Sequence, residues 1–140
     1  MSTKIQAHWS AADTTELLDY LLSQRATLGD GSSFKATTWT GAAKQVNAVA
    51  RCKGIDKTSK SCKNKWMRLK EIFEIVAKIK AQSGFKWDDE KGADIDASSA
   101  SVWEVFEKKN KGSCPFRNKG WPWWSKVEPL MPSSTRGANI

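Results

Sequence analysis

Trp9, Trp39 and Trp66 stand about thirty residues apart, each inside or beside a stretch whose apolar residues recur at helical spacing. That regularity constrains the fold more than any other feature of the chain. A tryptophan buries roughly 150–250 Å², so three of them, one per helix, can close a small core without disulfides or a metal. Eight tryptophans in 140 residues leave enough for a second aromatic cluster further along. Period-two alternation is missing throughout, there is no internal repeat, and the predicted class is all-α.

The first helix is predicted over 11–26. Ser10 is its cap, Asp13 an acid in its first turn, and Leu17, Leu18, Leu21 and Leu22 its apolar face. Gly29 to Ser33 is a turn-rich loop. A second helix, over 38–50 and capped by Thr37 or Thr38, presents Trp39, Ala42, Ala43 and Val46 on one side. A basic connector from Arg51 to Lys57 leads to Thr58, the expected cap of the longest helix, over 59–82. Cys62, Trp66, Leu69, Ile72, Phe73, Val76 and Ile79 form its apolar stripe. Residues 85–96 form an acidic loop pinned by Phe85 and Trp87. Asp96 is the expected cap of a fourth helix over 97–109, with Val102, Trp103 and Phe106 inward. Pro115 to Pro122 is a turn, a short helix follows over 123–130, and the tail from 132 to 140 is expected to be disordered. The domain division read from this is a three-helix core over 7–84, a packed extension over 85–131, and the tail.

Charge is distributed unevenly. The net charge is +8. Residues 51–86 hold eleven basic and three acidic groups, whereas residues 87–107 hold one basic and seven acidic. Residues 108–126 are again basic, with six bases and no acid. Two basic blocks flanking an acidic one suit a surface that faces an anion. On the side away from its apolar stripe, the first two turns of the third helix are purely basic and polar. Glu71 and Glu74 enter only later.

Other chemistries lack their residues. His8 is the sole histidine, and Cys52, Cys62 and Cys114 form no closely spaced pair, so no zinc site is expected. Asp88, Asp89 and Glu90 are adjacent in a loop without the glycine-spaced pattern of a calcium site. They are read as balancing Lys86 and Lys91. No phosphate-binding loop, carboxylate pair or cofactor fingerprint is present, and neither catalysis, a cofactor nor a small-molecule substrate is expected. No segment approaches the ~18 apolar residues of a membrane span.

A packed tryptophan scaffold that leaves one face of the third helix outside follows the logic of helix-turn-helix DNA readers. The pattern Trp9, Trp39 and Cys62-Lys-Asn-Lys-Trp66 resembles the Myb/SANT-like family, more narrowly its trihelix-type branch with an added fourth helix. The phrases from Gln82 to Asp94 and from Pro115 to Pro122 are similar to those of fungal, transposon-related members. The resemblance extends over about residues 7–131. It implies double-stranded DNA as partner, with Lys63 and Asn64 in the major groove and Lys60 and Met67 flanking them. Lysine donates to guanine O6 and N7, asparagine pairs with adenine N6 and N7, and Met67 suits a thymine methyl. Lys57, Lys65, Arg68, Lys70, Arg117 and Lys119 are then expected on phosphates. The family also implies a nuclear protein acting as a monomer in transcription or transposon-related regulation. An alternative is protein docking, to a chromatin or transposase partner, through the acidic loop.

Overall fold

The computed structural model describes residues 9–25, 34–48 and 57–131. The turn-rich loop after the first helix, the connector 51–56 and the tail 132–140 lie outside them. Five α-helices follow in order: α1 (Ala11–Ser23), α2 (Ala36–Asn47), α3 (Ser59–Ala81), α4 (Ala100–Lys109) and α5 (Trp124–Val127). Among the described residues there is no strand, only an isolated bridge between Asp88 and Gly92. The all-α class expected from the sequence is the observed one. The chain divides into two compact units: residues 1–68 with 126–140, and residues 69–125. The division falls inside α3.

In the first unit, α1 starts on a reciprocal cap. The Asp13 amide donates to Ser10 Oγ (3.1 Å) and the Ser10 amide donates to Asp13 Oδ2 (3.3 Å). This satisfies two N–H groups that the helix ladder cannot reach. Leu17, Leu18 and Leu21 are buried along α1, and Trp39, Ala42, Ala43 and Val46 along α2. The two helices pack on each other. At Gly41 a Cβ would run into the Tyr20 hydroxyl, so glycine is what lets α2 approach α1 there. The buried Val127, Leu130 and Met131 complete this unit, where a 3₁₀ turn at Glu128–Leu130 meets α1. α2 begins earlier than expected. Lys35 is its N-cap, without a side-chain bond, and Thr38 is buried inside the helix.

The second unit has an aromatic centre. Trp103 stacks on Phe106 (5.5 Å between centroids), and Phe85 packs against both. Phe73 stacks on Trp124 at 4.1 Å. Phe85 thus pins the loop to α4, as the sequence suggested. α4 starts at Ala100, later than expected. Asp96 does not cap it; its carboxylate instead accepts from the Ser98 and Ser99 amides and hydroxyls in the preceding turn. Val102, expected inward, is 47% exposed: α4 turns Trp103 and Phe106 to the core and leaves Val102 and Val105 on its outer side. The loop is drawn tight by glycines. Gly92 has φ +65°, and a Cβ there would strike the carbonyl oxygens of Phe116 and Lys119.

Candidate nucleic-acid interface

α3 is primed for its role by its first turn. The Ser61 amide donates to Thr58 Oγ1 (3.0 Å) and the Thr58 amide donates to Ser61 Oγ (2.8 Å), a two-way cap that fixes where the helix begins. Cys62 and Trp66 then point inward, 0% and 2% exposed. Burial pushes the Cys62 thiol up to about 11, against the opposing pull of the Lys57 charge. With that stripe fixed inside, the helical period places residues 60, 63, 64 and 67 together on the opposite side. All four are exposed, Met67 by 50%. They span about 10 Å along the axis at 1.5 Å per residue. The face carries two ammonium groups, one carboxamide and one thioether. It contains no acid until Glu71, one turn past Met67.

The expected phosphate contacts separate into three groups. Arg68 is exposed beside that face, and Lys65 and Lys70 are half-buried. Burial, then the nearby Arg68 charge, lowers the pKa of Lys65, and its Nζ lies 6.0 Å from the centroid of the Trp9 ring. Arg117 and Lys119 are exposed and belong to the second unit. There Arg117 Nη1 donates to Asn118 Oδ1 (3.0 Å), and the Gly120 amide donates to the Glu90 carbonyl (3.0 Å). That bond sets Lys119 in a segment bound to the acidic loop, a mixed rather than a purely basic surface. In the same loop Asp88 accepts from the Glu90 and Lys91 amides (2.8 Å each), bonds that hold its carboxyl below the usual carboxylate value.

Lys57 requires a correction. It is 2% exposed, and its Nζ donates to Asp13 Oδ2 at 3.0 Å with both side chains fully buried. An ammonium enclosed in this way does not reach a phosphate. Burial by itself would raise the Asp13 carboxyl. The Lys57 hydrogen bond, the Ser10 amide and the Lys57 charge outweigh that and hold it below its ordinary value. Asn47, at the end of α2, joins the same cluster: its Nδ2 donates to the Lys57 carbonyl and its Oδ1 accepts from the Lys57 amide, both at 2.8 Å. Neither Asp13 nor Asn47 was expected from the sequence to be a partner of Lys57. Asp13 carried a visible signal, a helix-capping acid, but that role is local and says nothing of a partner 44 residues away.

Phe34 stands edge-on to both Trp39 (5.6 Å) and Trp66 (6.3 Å) and joins them. Trp9 is only half-buried, with the Lys57 ammonium 5.3 Å from its ring centroid, a cation–π contact that a wholly apolar site would not offer. Trp39 and Trp66 are core residues, whereas Trp9 covers the ion pair from outside.

No helix among the described residues is long and apolar enough to cross a membrane. No curated protein and no solved structure matches the chain. The family profile of the Myb/SANT-like DNA-binding domain matches residues 8–106, which covers α1, α2, α3 and most of α4. With well over half of its length matched, and with a helical architecture to suit, the chain belongs to the Myb/SANT-like DNA-binding domain family.

Proposed function

We propose that this chain reads a short double-stranded DNA sequence by laying the first half of α3 in the major groove. Lys63 and Asn64 contact base edges, and Lys60 and Met67 flank them. Arg68, Lys65 and Lys70 hold the adjoining phosphates, and Arg117 and Lys119 add backbone contacts from the second unit. The role is regulatory and nuclear, in transcription or in the control of a transposon-derived element. The chain engages DNA as a single copy and performs no chemistry of its own. One observation carries the reading: four side chains able to meet base edges share one exposed face, opposite the buried Cys62 and Trp66. A major groove roughly 12 Å wide admits an α-helix.

Selection from a random duplex pool at about 150 mM salt tests it. One enriched motif is expected, and it should vanish in the Lys63→Ala, Asn64→Ala double variant. Each well-placed base contact is worth about 1–3 kcal/mol of discrimination, so the pair accounts for at least a ten-fold preference. Enrichment that survives the double variant places the reading face elsewhere. Retention without any motif reduces the activity to backbone binding by counterion release. No retention at low salt points to protein docking through the exposed Asp89 and Glu90.

A further inference from the structure

We propose that Asp13, Lys57 and Asn47 form a positioning latch that sets the direction of the reading end of α3, and thereby how sharply the chain tells one DNA sequence from another. This inference rests on the major-groove reading above.

Lys57 directly precedes Thr58, the residue that caps α3. It is gripped at both ends. Its backbone amide and carbonyl are clasped together by the one carboxamide of Asn47, from the last residue of α2. Its ammonium is held by Asp13, from the first turn of α1. The Asp13 oxygen that takes the ammonium is also the one that caps α1, so the start of α1 and the approach to α3 share an atom. Three helices are therefore referred to one residue by bonds that are short and directional.

Stability alone is a poor account of this cluster. A buried ion pair loses hydration that its mutual attraction only partly restores, and apolar residues of similar size often serve as well or better. Here the pairing is also incomplete: among the described residues, Asp13 Oδ1 is buried without a hydrogen-bond partner. What the bonds supply and an apolar contact would not is a fixed angle. Base recognition requires that angle, because a reading side chain has to sit within about 0.5 Å of its productive position. Contacts to phosphates by long lysine and arginine side chains tolerate more.

The test uses the full chain and two variants. Asp13→Leu with Lys57→Met replaces the pair by apolar side chains. Asn47→Ala opens the clasp and leaves the pair intact. For each, affinity is measured by titration against the duplex selected by the wild type and against a scrambled duplex, across a range of salt. The expected result is a preference for the selected duplex lowered about ten-fold, with scrambled-duplex affinity and the salt slope unchanged and melting temperatures near that of the wild type. A folded variant that keeps the full preference overturns the latch and leaves the pair a packing feature. A salt slope reduced by about 0.9 on loss of the Lys57 charge overturns it too, since that would mark a phosphate contact. If the double variant does not fold, Asn47→Ala decides alone. A wild type without any preference would defeat the major-groove reading itself, an outcome distinct from equal preference in wild type and variants.

Discussion

The two units are held together by different means. The first places polar groups inside: the Asp13–Lys57 pair, the Asn47 clasp and the buried Thr14 and Thr38. The second is aromatic at its centre, with Phe85, Trp103 and Phe106 in one cluster and Phe73 on Trp124 in another. Its loop backbone is drawn tight by glycines. Dispersion and area burial are non-directional and tolerate small shifts, whereas ion pairs and amide clasps do not. The stretch of α3 proposed to read DNA belongs to the unit that holds the buried ion pair.

Substitutions can break this contrast. The largest effect is expected from Trp103→Ala, which should lower stability by about 4 kcal/mol in denaturant unfolding, typical of a large buried aromatic. Gly92→Ala should follow at about 3 kcal/mol, since it combines a left-handed φ with two carbonyl oxygens where the methyl would go. An apolar substitution of like volume in the aromatic cluster, such as Phe106→Leu, should cost less than about 1.5 kcal/mol.

Acid sharpens the comparison. The Asp13 pKa is lowered in the folded chain from an ordinary value of 3.8. Its contribution is therefore complete above that value and is lost as the pH falls through the lower folded one. Asp96 is also lowered, through hydrogen bonds from Ser98 and Ser99, but it is fully exposed. Acid unfolding monitored by circular dichroism should change more in Asp13→Asn than in Asp96→Asn. The smallest effect belongs to the partly exposed pair of Lys126 and Asp19 (2.7 Å). Lys126→Ala should alter stability by under about 1 kcal/mol, and less at high salt.

Much of this was legible in the sequence. The spacing of Leu17, Leu18 and Leu21, and the run from Cys62 to Ile79, named the helices and their buried sides, because periodicity is a local property. The exposed face of α3 followed by subtraction, since fixing Cys62 and Trp66 inward leaves Lys60, Lys63 and Asn64 outside. Lys57 was misread because a lysine among lysines looks like surface, and only the folded chain brings Asp13 to it. Val102 was misread because α4 is short, and a Val beside a Trp does not show which of them turns to the core. Asp96 looked like a cap, but two serines after it offered its carboxylate a tighter turn. Trp9 was read in the core as the first of three alike; it is half-buried, with Lys57 and Lys65 near its ring.

Cys62 lies on the buried side of α3, 0% exposed, with its thiol raised to about 11. Alkylating reagents attack the thiolate, so in the folded chain this sulfur is doubly protected, by exclusion and by protonation. It reacts only when the start of α3 lifts from its seat. Cys114, exposed in the other unit, has no such protection from exclusion. In a chain with Cys52 replaced by serine, the two sulfurs become a paired clock. Cys114 marks the time the reagent needs, and the lag of Cys62 behind it measures how often the start of α3 comes loose.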